Sequence, residues 1–488
     1  MHFARTRPEP QTQAPNKARS DDASTPDTLA RPTAAEALSR PLVALDVNDF
    51  FSPTGGGVRR YHTEKLRHLG DRSDVAYHLV VPSDRFGQEK HGGATLHYIP
   101  ALPLGKSGYR AMIDPLALRR IIREVRPDVI EVGSPYLTPD LVRLASAGTG
   151  ARLVGFWHAH YPDAYLRRPL AKQPLLSRTA ERLGWWWAAR TYGRFDATIA
   201  AADCLRDELA DHGVRNVSIT PLGVDLELFT PERRDRALRA SWGAGDDDVV
   251  VCFPHRLCGE KRLSTMIEAF RTVVAIAGPR ARLVFAGRGP GEPEVQALCE
   301  AFPEQVHHLG FVDDRQQMAR ILASADVVAA LSPTETFGLS AAEAMACGTA
   351  LIGVDALSVG ELLRQSRGGL VVPDLDPHAL SAAWLQLLDP ELTRRYGARA
   401  QAFALSQFDW RETFDRIIAV YRSVVKGEPA RLDRRPHPVV PAPLAWSGGA
   451  AATTPRRPRG GESADRRVHV AAPLPGREAR RGQQRRGG

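Results

Sequence analysis

No run in this chain approaches the eighteen or so apolar residues that a bilayer-spanning helix needs, so any membrane contact is expected to be peripheral. Cysteine is scarce. Cys204, Cys252, Cys258, Cys299 and Cys347 are odd in number and never form a C-x-x-C pair, which argues against a disulfide framework and fits reduced thiols in the cytoplasm. The opening segment MHFARTRPEP has no apolar h-region, so no secretory leader is expected. No solenoid-type repeat is present either. Basic charge is abundant overall, at a formal net +9, but it is unevenly spread. Residues 427–488 hold thirteen arginines against five carboxylates, so everything before them is close to neutral. The high pI therefore describes a tail and argues against a nucleic-acid-binding surface on the folded part.

What is present is a chain of 488 residues, 43% hydrophobic, with room for two or three domains. Residues 1–40 and 427–488 are rich in Pro, charge and small residues without periodicity, and both are expected to be disordered. Between them short apolar runs alternate with helical patterns: PLVALDV, GGVRRYHTEKLRHLG, YHLVVP, PLALRRIIREVRP, DVIEVG, RLVGFWHAH. After VSITPLGVD the alternation restarts with DVVVCFPHR, LSTMIEAFRTVVAIA, ARLVFAGRGPG and ADVVAALSPTE. That order predicts two Rossmann-like α/β domains with parallel sheets, joined near residues 221–230. Ligands of such sheets bind at the C-terminal ends of the strands, so two facing domains make a cleft lined by those loops.

Three constellations carry chemistry. In SPTETFGLSAAEAMACGT, Glu335 and Glu343 flank a loop entering a helix. Eight helical positions separate two carboxylates by on the order of 12 Å. A glycosidase pair works across roughly 5–9.5 Å, so these two suit the ends of one long ligand better than a single bond. Between them Phe337, Gly338, Leu339 and Ser340 offer backbone N–H groups at a helix start, an anion site. A nucleotide sugar fits, with a glutamate on each sugar ring and the diphosphate between. The same pattern also describes a loop carboxylate and an exposed helix position. In FPHRLCGEKR, Arg256 and Lys261 sit in a loop between strand and helix, where fixed cations stabilise a departing diphosphate; taken alone they read first as ordinary solvated surface charges. In SPTGGGVRRY, Gly55, Gly56 and Gly57 allow close approach of backbone to a ligand. The spacing is not that of G-x-G-x-x-G and no G-K-[ST] follows, which weighs against NAD and P-loop readings.

From about residue 42 to 425 the chain resembles family 4 of the retaining glycosyltransferases, whose GT-B architecture is two facing Rossmann-like domains. The resemblance runs in order through GGGVRRY, HAHYPDAY, PLGVDLELF, HRLCGEKR, VFAGRGPG, LGFVDD, the E-x7-E signature ETFGLSAAE and FDWRETFDRIIAVYRSVV. It implies an N-terminal acceptor domain over 41–225, a donor domain over 226–408 and a helix over 409–426 crossing back to the first. It implies that Glu335 contacts the donor sugar and Glu343 the ribose, that Arg256 and Lys261 hold the diphosphate, and that His158 lies beside the transferred sugar, with His160 the second choice. Gly56, Gly57, Gly287, Phe311, Phe337, Gly338 and Leu339 would complete the donor site, and Arg59, Arg60, His160 and Tyr161 would meet the acceptor.

The fragments GGGVRRY and HAHYPDAY look most like mannosyltransferases acting on lipid or polysaccharide acceptors, and somewhat like sulfoquinovosyl lipid synthases. A hexose from GDP-mannose is the leading expectation, with no metal and no other cofactor. The D-x-D spacings Asp374/Asp376 and Asp246/Asp248 do not need a metal reading, the former being a helix N-cap followed by Pro377. Rival readings are a nucleotide-sugar epimerase of similar fold and a catalytically silent nucleotide-sugar or carbohydrate binder. Of Trp185, Trp186 and Trp187, two are expected in the core and one exposed. A partner for the arginine-rich tail could be an anionic membrane surface.

Overall fold

The computed structural model describes residues 40–51, 56–104, 109–170 and 172–430. The two tails and Gly55 lie outside these described residues. The first half builds β1 (Leu42–Val47), β2 (Val75–Ser83), β3 (Gly87–His91), β4 (Ala94–Pro100), a small hairpin of β5 (Leu102–Pro103) and β6 (Arg110–Ala111), then β7 (Val129–Val132), β8 (Arg152–Phe156), β9 (Ala197–Ala200) and β10 (Val217–Ile219). The second half builds β11 (Val250–Phe253), β12 (Arg282–Phe285), β13 (Val306–His308), β14 (Val327–Ala330), β15 (Ala350–Val354) and β16 (Gly369–Val372). Five helices matter for the site: α1 (Gly57–Gly70), α2 (Asp203–Asp211), α3 (Leu339–Ala346), α4 (Leu357–Ser366) and α5 (Trp410–Lys426).

The first sheet runs β10-β9-β8-β7-β1-β2-β4-β3. Its pairs are parallel apart from β3, which lies antiparallel on β4. That edge strand, GQEKH, is exposed along its whole length, and its charges keep the open edge from pairing with another chain. The sequence alternation alone did not anticipate it. The second sheet runs β13-β12-β11-β14-β15-β16, the doubly wound order in which the crevice opens where strand order reverses, between β11 and β14. The loops after those two strands carry Arg256 with Lys261 and Glu335. The strands are continuous apolar runs because helices cover both sheet faces, as β11 (VVCF) and β14 (VVAA), wholly buried, show.

α5 closes the fold. Asp409 caps its start by accepting the Arg411 N–H at 2.7 Å, and Gly427, at φ 76°, ends it. Its buried stripe of Trp410, Phe414, Ile417, Ile418, Tyr421 and Val424 recurs at helical spacing and packs against α1 and the first sheet. At its far end lies a fully buried polar cluster. Lys65 Nζ donates to Asp46 at 2.7 Å, to the Tyr421 hydroxyl at 2.7 Å and to the Tyr61 hydroxyl at 3.0 Å, and sits 3.2 Å from Glu131. Tyr421 in turn donates to Glu131 at 2.6 Å. The helix after the second domain is thus pinned to the first by charge as well as by burial.

Replacing Lys65 by Met leaves Asp46 and Glu131 buried without their counter-charge and is expected to cost about 3–5 kcal/mol. Tyr421→Phe is expected to cost about 1–2 kcal/mol. Urea unfolding of the two variants measures both, and an unchanged midpoint for Lys65→Met would remove the cluster from the account of stability.

Candidate active site

The β11 loop is clasped from beside it. A Cβ on Gly287 would stand 2.0 Å from the His255 carbonyl oxygen, and one on Gly289 2.4 Å from the Leu257 carbonyl oxygen. The glycines of GRGPG are there so that the β12 loop can press on the β11 loop, and that is where the structure places Gly287. Arg262, in the left-handed region at φ 60°, adds a two-pronged bond to Asp374 at 2.6 Å on each oxygen. Asp376 accepts the Ala379 N–H as the next helix's N-cap, so neither member of that D-x-D pair is a free ligand. His255 bonds the Ala329 carbonyl at 2.9 Å through Nε2 and lies 3.5 Å from Ser340 Oγ, which ties this loop to the start of α3.

On that scaffold Lys261 Nζ donates to Glu335 Oε1 at 2.5 Å and lies 3.2 Å from Glu260. Burial alone would raise the Glu335 pKa, but the Lys261 charge and hydrogen bond outweigh it and hold the carboxyl below its usual range. Burial would likewise lower Lys261, yet Glu335 and Glu260 push it up, so both partners stay charged. Arg256 is exposed at the loop's tip, with no hydrogen-bond or ion-pair partner among the described residues. Beyond Glu335 the chain turns at Gly338 (φ 84°) into α3, whose start carries no side-chain cap. Its first amides and the Arg256 guanidinium are therefore available to an anion. Phe337 is buried edge-on against Phe408, with ring centres 5.3 Å apart, and sets the turn rather than contacting the cleft.

The first domain reaches the same place. A Cβ on Gly57 would lie 3.9 Å from Leu339, so Gly57 faces the start of α3, while Gly56 is open to solvent. Thr336 Oγ1 donates to the His158 carbonyl at 2.7 Å across the cleft. The His158 ring stacks on Phe156 at 3.9 Å and meets the Tyr61 ring at 4.9 Å. Burial drives its pKa well down, leaving a neutral imidazole whose Nε2 is buried without a hydrogen-bond partner. Arg60 Nη1 lies 3.4 Å from Glu343 Oε1, and Arg315 bridges Glu64 at 3.0 Å and Asp225 at 3.4 Å. The two signature glutamates thus have different partners: Lys261 within the second domain and Arg60 across the cleft. Glu361 on α4 accepts the N–H groups of Asp203 and Cys204 at 3.2 and 2.7 Å, capping α2 of the other domain.

Two expected acceptor residues stand elsewhere. His160 is buried, with Nε2 2.8 Å from Glu208. Tyr161 is a core residue, packed on Trp157 and donating its hydroxyl to the Gly184 carbonyl at 3.3 Å. HAHYPDAY leaves the strand and turns at once into a helical segment, which folds His160 and Tyr161 back into the core and leaves His158 at the cleft. Arg59 is half-buried on α1, and Phe311 is exposed in the loop after β13. Trp185 is buried and Trp186 is exposed, while Trp187 packs partly on the core. Sequence reasoning missed Thr336, although it lies inside the signature it had singled out.

Residues 235–403 match the family described as Glycosyl transferases group 1, and residues 55–228 match Glycosyltransferase Family 4. The chain is 32% identical over 383 residues to a GDP-mannose-dependent alpha-(1-6)-phosphatidylinositol dimannoside mannosyltransferase of Mycobacterium tuberculosis, covering 77% of this chain and 94% of that one. It is 32% identical over 403 residues to D-inositol 3-phosphate glycosyltransferase 1 of Catenulispora acidiphila, covering 76% and 92%. Among solved structures, sucrose-phosphate synthase from Thermosynechococcus elongatus superposes with a TM-score of 0.64 at 18% identity, over 80% of this chain and 100% of that one. Anabaena HepE in complex with UDP gives 0.60 at 19%, over 77% and 98%. Two facing Rossmann-like domains with this cleft define a GT-B glycosyltransferase. Within that class, the chain belongs to glycosyltransferase family 4.

Burial pushes Glu343 from 4.5 up to about 7, with Arg60 and Arg315 opposing. A carboxyl raised by folding contributes its stability in full below the unfolded pKa, and that contribution is lost as pH climbs through the folded value. The loss amounts to on the order of 3 kcal/mol. Glu343→Gln is expected to melt higher than the parent at pH 8 and alike at pH 5, as differential scanning fluorimetry would record; equal melting at both would show that the carboxyl is not strained.

Proposed function

We propose that this glycosyltransferase moves mannose from GDP-mannose to a hydroxyl of a lipid or saccharide acceptor, with retention at the anomeric carbon. The observation that carries the reading is the Lys261–Glu335 pair beside the uncapped start of α3 and the unpartnered Arg256. Together they offer two cations, of which Lys261 is held by Glu335, and a set of amides to a diphosphate, and an ionised carboxylate to the sugar attached to it. The choice of mannose and GDP is supported by the named activity of the Mycobacterium tuberculosis relative.

In the step proposed, the acceptor oxygen bonds to the anomeric carbon as the bond from that carbon to the phosphate oxygen breaks. The acceptor proton passes to the departing diphosphate, whose charge Arg256, Lys261 and α3 stabilise. In this reading His158, a neutral imidazole beside the cleft, hydrogen-bonds the transferred sugar. Charge neutralisation by those cations is the basis for proposing that no metal is required.

Peripheral contact with an anionic bilayer is a further part of the proposal. No helix of the described residues is long and apolar enough to cross a membrane. In the helix Pro174–Tyr192, however, Leu175, Leu183 and Trp186 are 81%, 60% and 59% exposed, with Arg178, Arg182 and Arg190 also exposed among them. Apolar side chains and arginines on one exposed face suit the headgroup zone of a cytoplasmic membrane surface.

Slow hydrolysis of GDP-mannose by the purified protein tests the chemistry, with UDP-glucose alongside. Glu335→Ala and Lys261→Ala are each expected to lower kcat by about a hundredfold or more; undiminished turnover in both would remove the site. Vesicles containing phosphatidylglycerol should retain the parent and release Trp186→Ser in a sedimentation assay, and equal binding would discount the helix.

A further inference from the structure

Helix α2 of the first domain begins without a cap of its own. Its N-cap position is Ala202, in extended conformation, whose side chain has nothing to accept the first amides. Those amides are satisfied from the other domain. Glu361 on α4 accepts the Asp203 N–H at 3.2 Å on one carboxylate oxygen and the Cys204 N–H at 2.7 Å on the other. The Gln365 side chain, one turn further along α4, donates to the first of these oxygens at 3.1 Å and steadies the carboxylate. Glu361 is buried, so its charge serves this contact rather than solvent.

The rest of the first turn of α4 is shaped for the same neighbour. Leu357 holds φ at 39°, in the left-handed region that a leucine rarely adopts, and packs on the core of the first domain, the cluster that also receives Cys204. Strain of that kind persists only where the surroundings fix the residue. Ser358, fully buried, turns the other way: its Oγ donates to the Thr336 carbonyl at 2.6 Å, and Thr336 Oγ1 donates in turn to the His158 carbonyl at 2.7 Å.

These bonds form a circuit between the domains. It runs from α2 through Glu361 into α4, from α4 through Ser358 to Thr336, the neighbour of Glu335, and from Thr336 back to His158 at the end of β8. That strand lies beside β9, which leads into α2, so the circuit closes within one sheet edge. The Lys261–Glu335 pair is internal to the second domain and His158 belongs to the first, so their separation depends on how one domain is seated on the other. The first turn of α4 grips the first domain and the signature loop at once, and a small error in that grip displaces one side of the site from the other.

We propose that Glu361, seated on the start of α2, is a positioning residue for the transfer reaction: it sets the second domain on the first so that Glu335 and His158 face one sugar. It acts through Thr336 and His158 rather than on substrate. The role in catalysis rests on the transferase reading, whereas the seating of the domains does not.

The test separates positioning from plain helix capping. Glu361→Ala is expected to lower kcat for GDP-mannose hydrolysis about tenfold or more, with GDP binding in calorimetry unchanged. Hydrogen exchange, followed by mass spectrometry, should quicken in residues 203–207 and in the two loops at 156–161 and 332–340. Adding Ala202→Ser gives α2 a cap of its own. The double variant should regain protection at 203–207 and the parent's melting temperature, but neither kcat nor protection of the two loops. Should Glu361→Ala fail to fold, Glu361→Gln, which keeps an acceptor and loses the charge, is read in the same way. Recovery of kcat and of both loops by Ala202→Ser, or loops and kcat unchanged in the Glu361 variant, would overturn the proposal. A parent that does not turn over GDP-mannose would overturn the transferase reading instead, and the exchange of the two loops then decides the seating by itself.

Discussion

The whole arrangement hangs on one buried ammonium. Lys65 has no solvent exposure, and around it stand Asp46 from β1, Glu131 from β7, Tyr61 from its own helix and Tyr421 from the crossing helix. Burial would raise Asp46, but Lys65 and His62 outweigh it and keep that carboxyl ionised. Glu131 is raised by burial and by the charge of Asp46. Two carboxyls compete for one cation: Tyr61 and Tyr421 donate to the Glu131 oxygens and Tyr77 joins Lys65 on Asp46 Oδ2, while Asp46 Oδ1 is buried without a hydrogen-bond partner among the described residues. A buried charge left without such partners costs several kcal/mol, so β1, β7, α1 and α5 hold one another in place. Tyr61, whose hydroxyl donates to Glu131, also packs its ring against His158, which links the anchor to the cleft floor.

Across the cleft the contacts are of another kind. Thr336 to the His158 carbonyl, Arg60 to Glu343, Arg315 to Glu64 and Glu361 to the α2 amides are polar bonds. Polar interfaces between domains of one chain permit relative motion in a way that a packed core does not. An apolar seam runs along the linker and α5 through Val224, Phe229, Phe408, Trp410 and Phe414, where the Val224 N–H also donates to the Phe408 carbonyl at 2.9 Å, and Leu357 at the start of α4 packs against the first domain's core as well. Motion about that fixed seam with exchange of the polar bonds is the form of closure such a fold allows.

Arg60 and Glu343 illustrate the exchange. In the donor complex proposed above a ribose would offer the carboxylate neutral hydroxyl donors in place of a guanidinium, and a buried carboxyl raised to about 7 is sensitive to which it meets. Lys261 and Glu335, by contrast, are neighbours within one domain, joined to the same scaffold by the glycines of the β12 loop, and keep their charges independently of the other domain. The Lys261–Glu335 end of the site is therefore preassembled, and at the other end Glu343 is already engaged from across the cleft.

Much of this was legible in the residues. The alternation of apolar runs and helical patterns predicts two doubly wound domains because local periodicity and sheet burial follow from backbone geometry, and ETFGLSAAE and HRLCGEKR name the side chains at the β14 and β11 crevice. The antiparallel edge strand GQEKH was not legible, being polar throughout and held only by its neighbour. Nor could HAHYPDAY say that His158 would stay at the cleft while His160 went to Glu208 and Tyr161 into the core, since that depends on how the segment turns after β8. The sequence by itself determined the parallel strands and their helices, the order of these, and the chemical character of the β11 and β14 loops, all properties of short spans. Only the tertiary structure decided which carboxylate meets which cation and which aromatic rings converge, because those partners lie far apart in the chain and are chosen by packing.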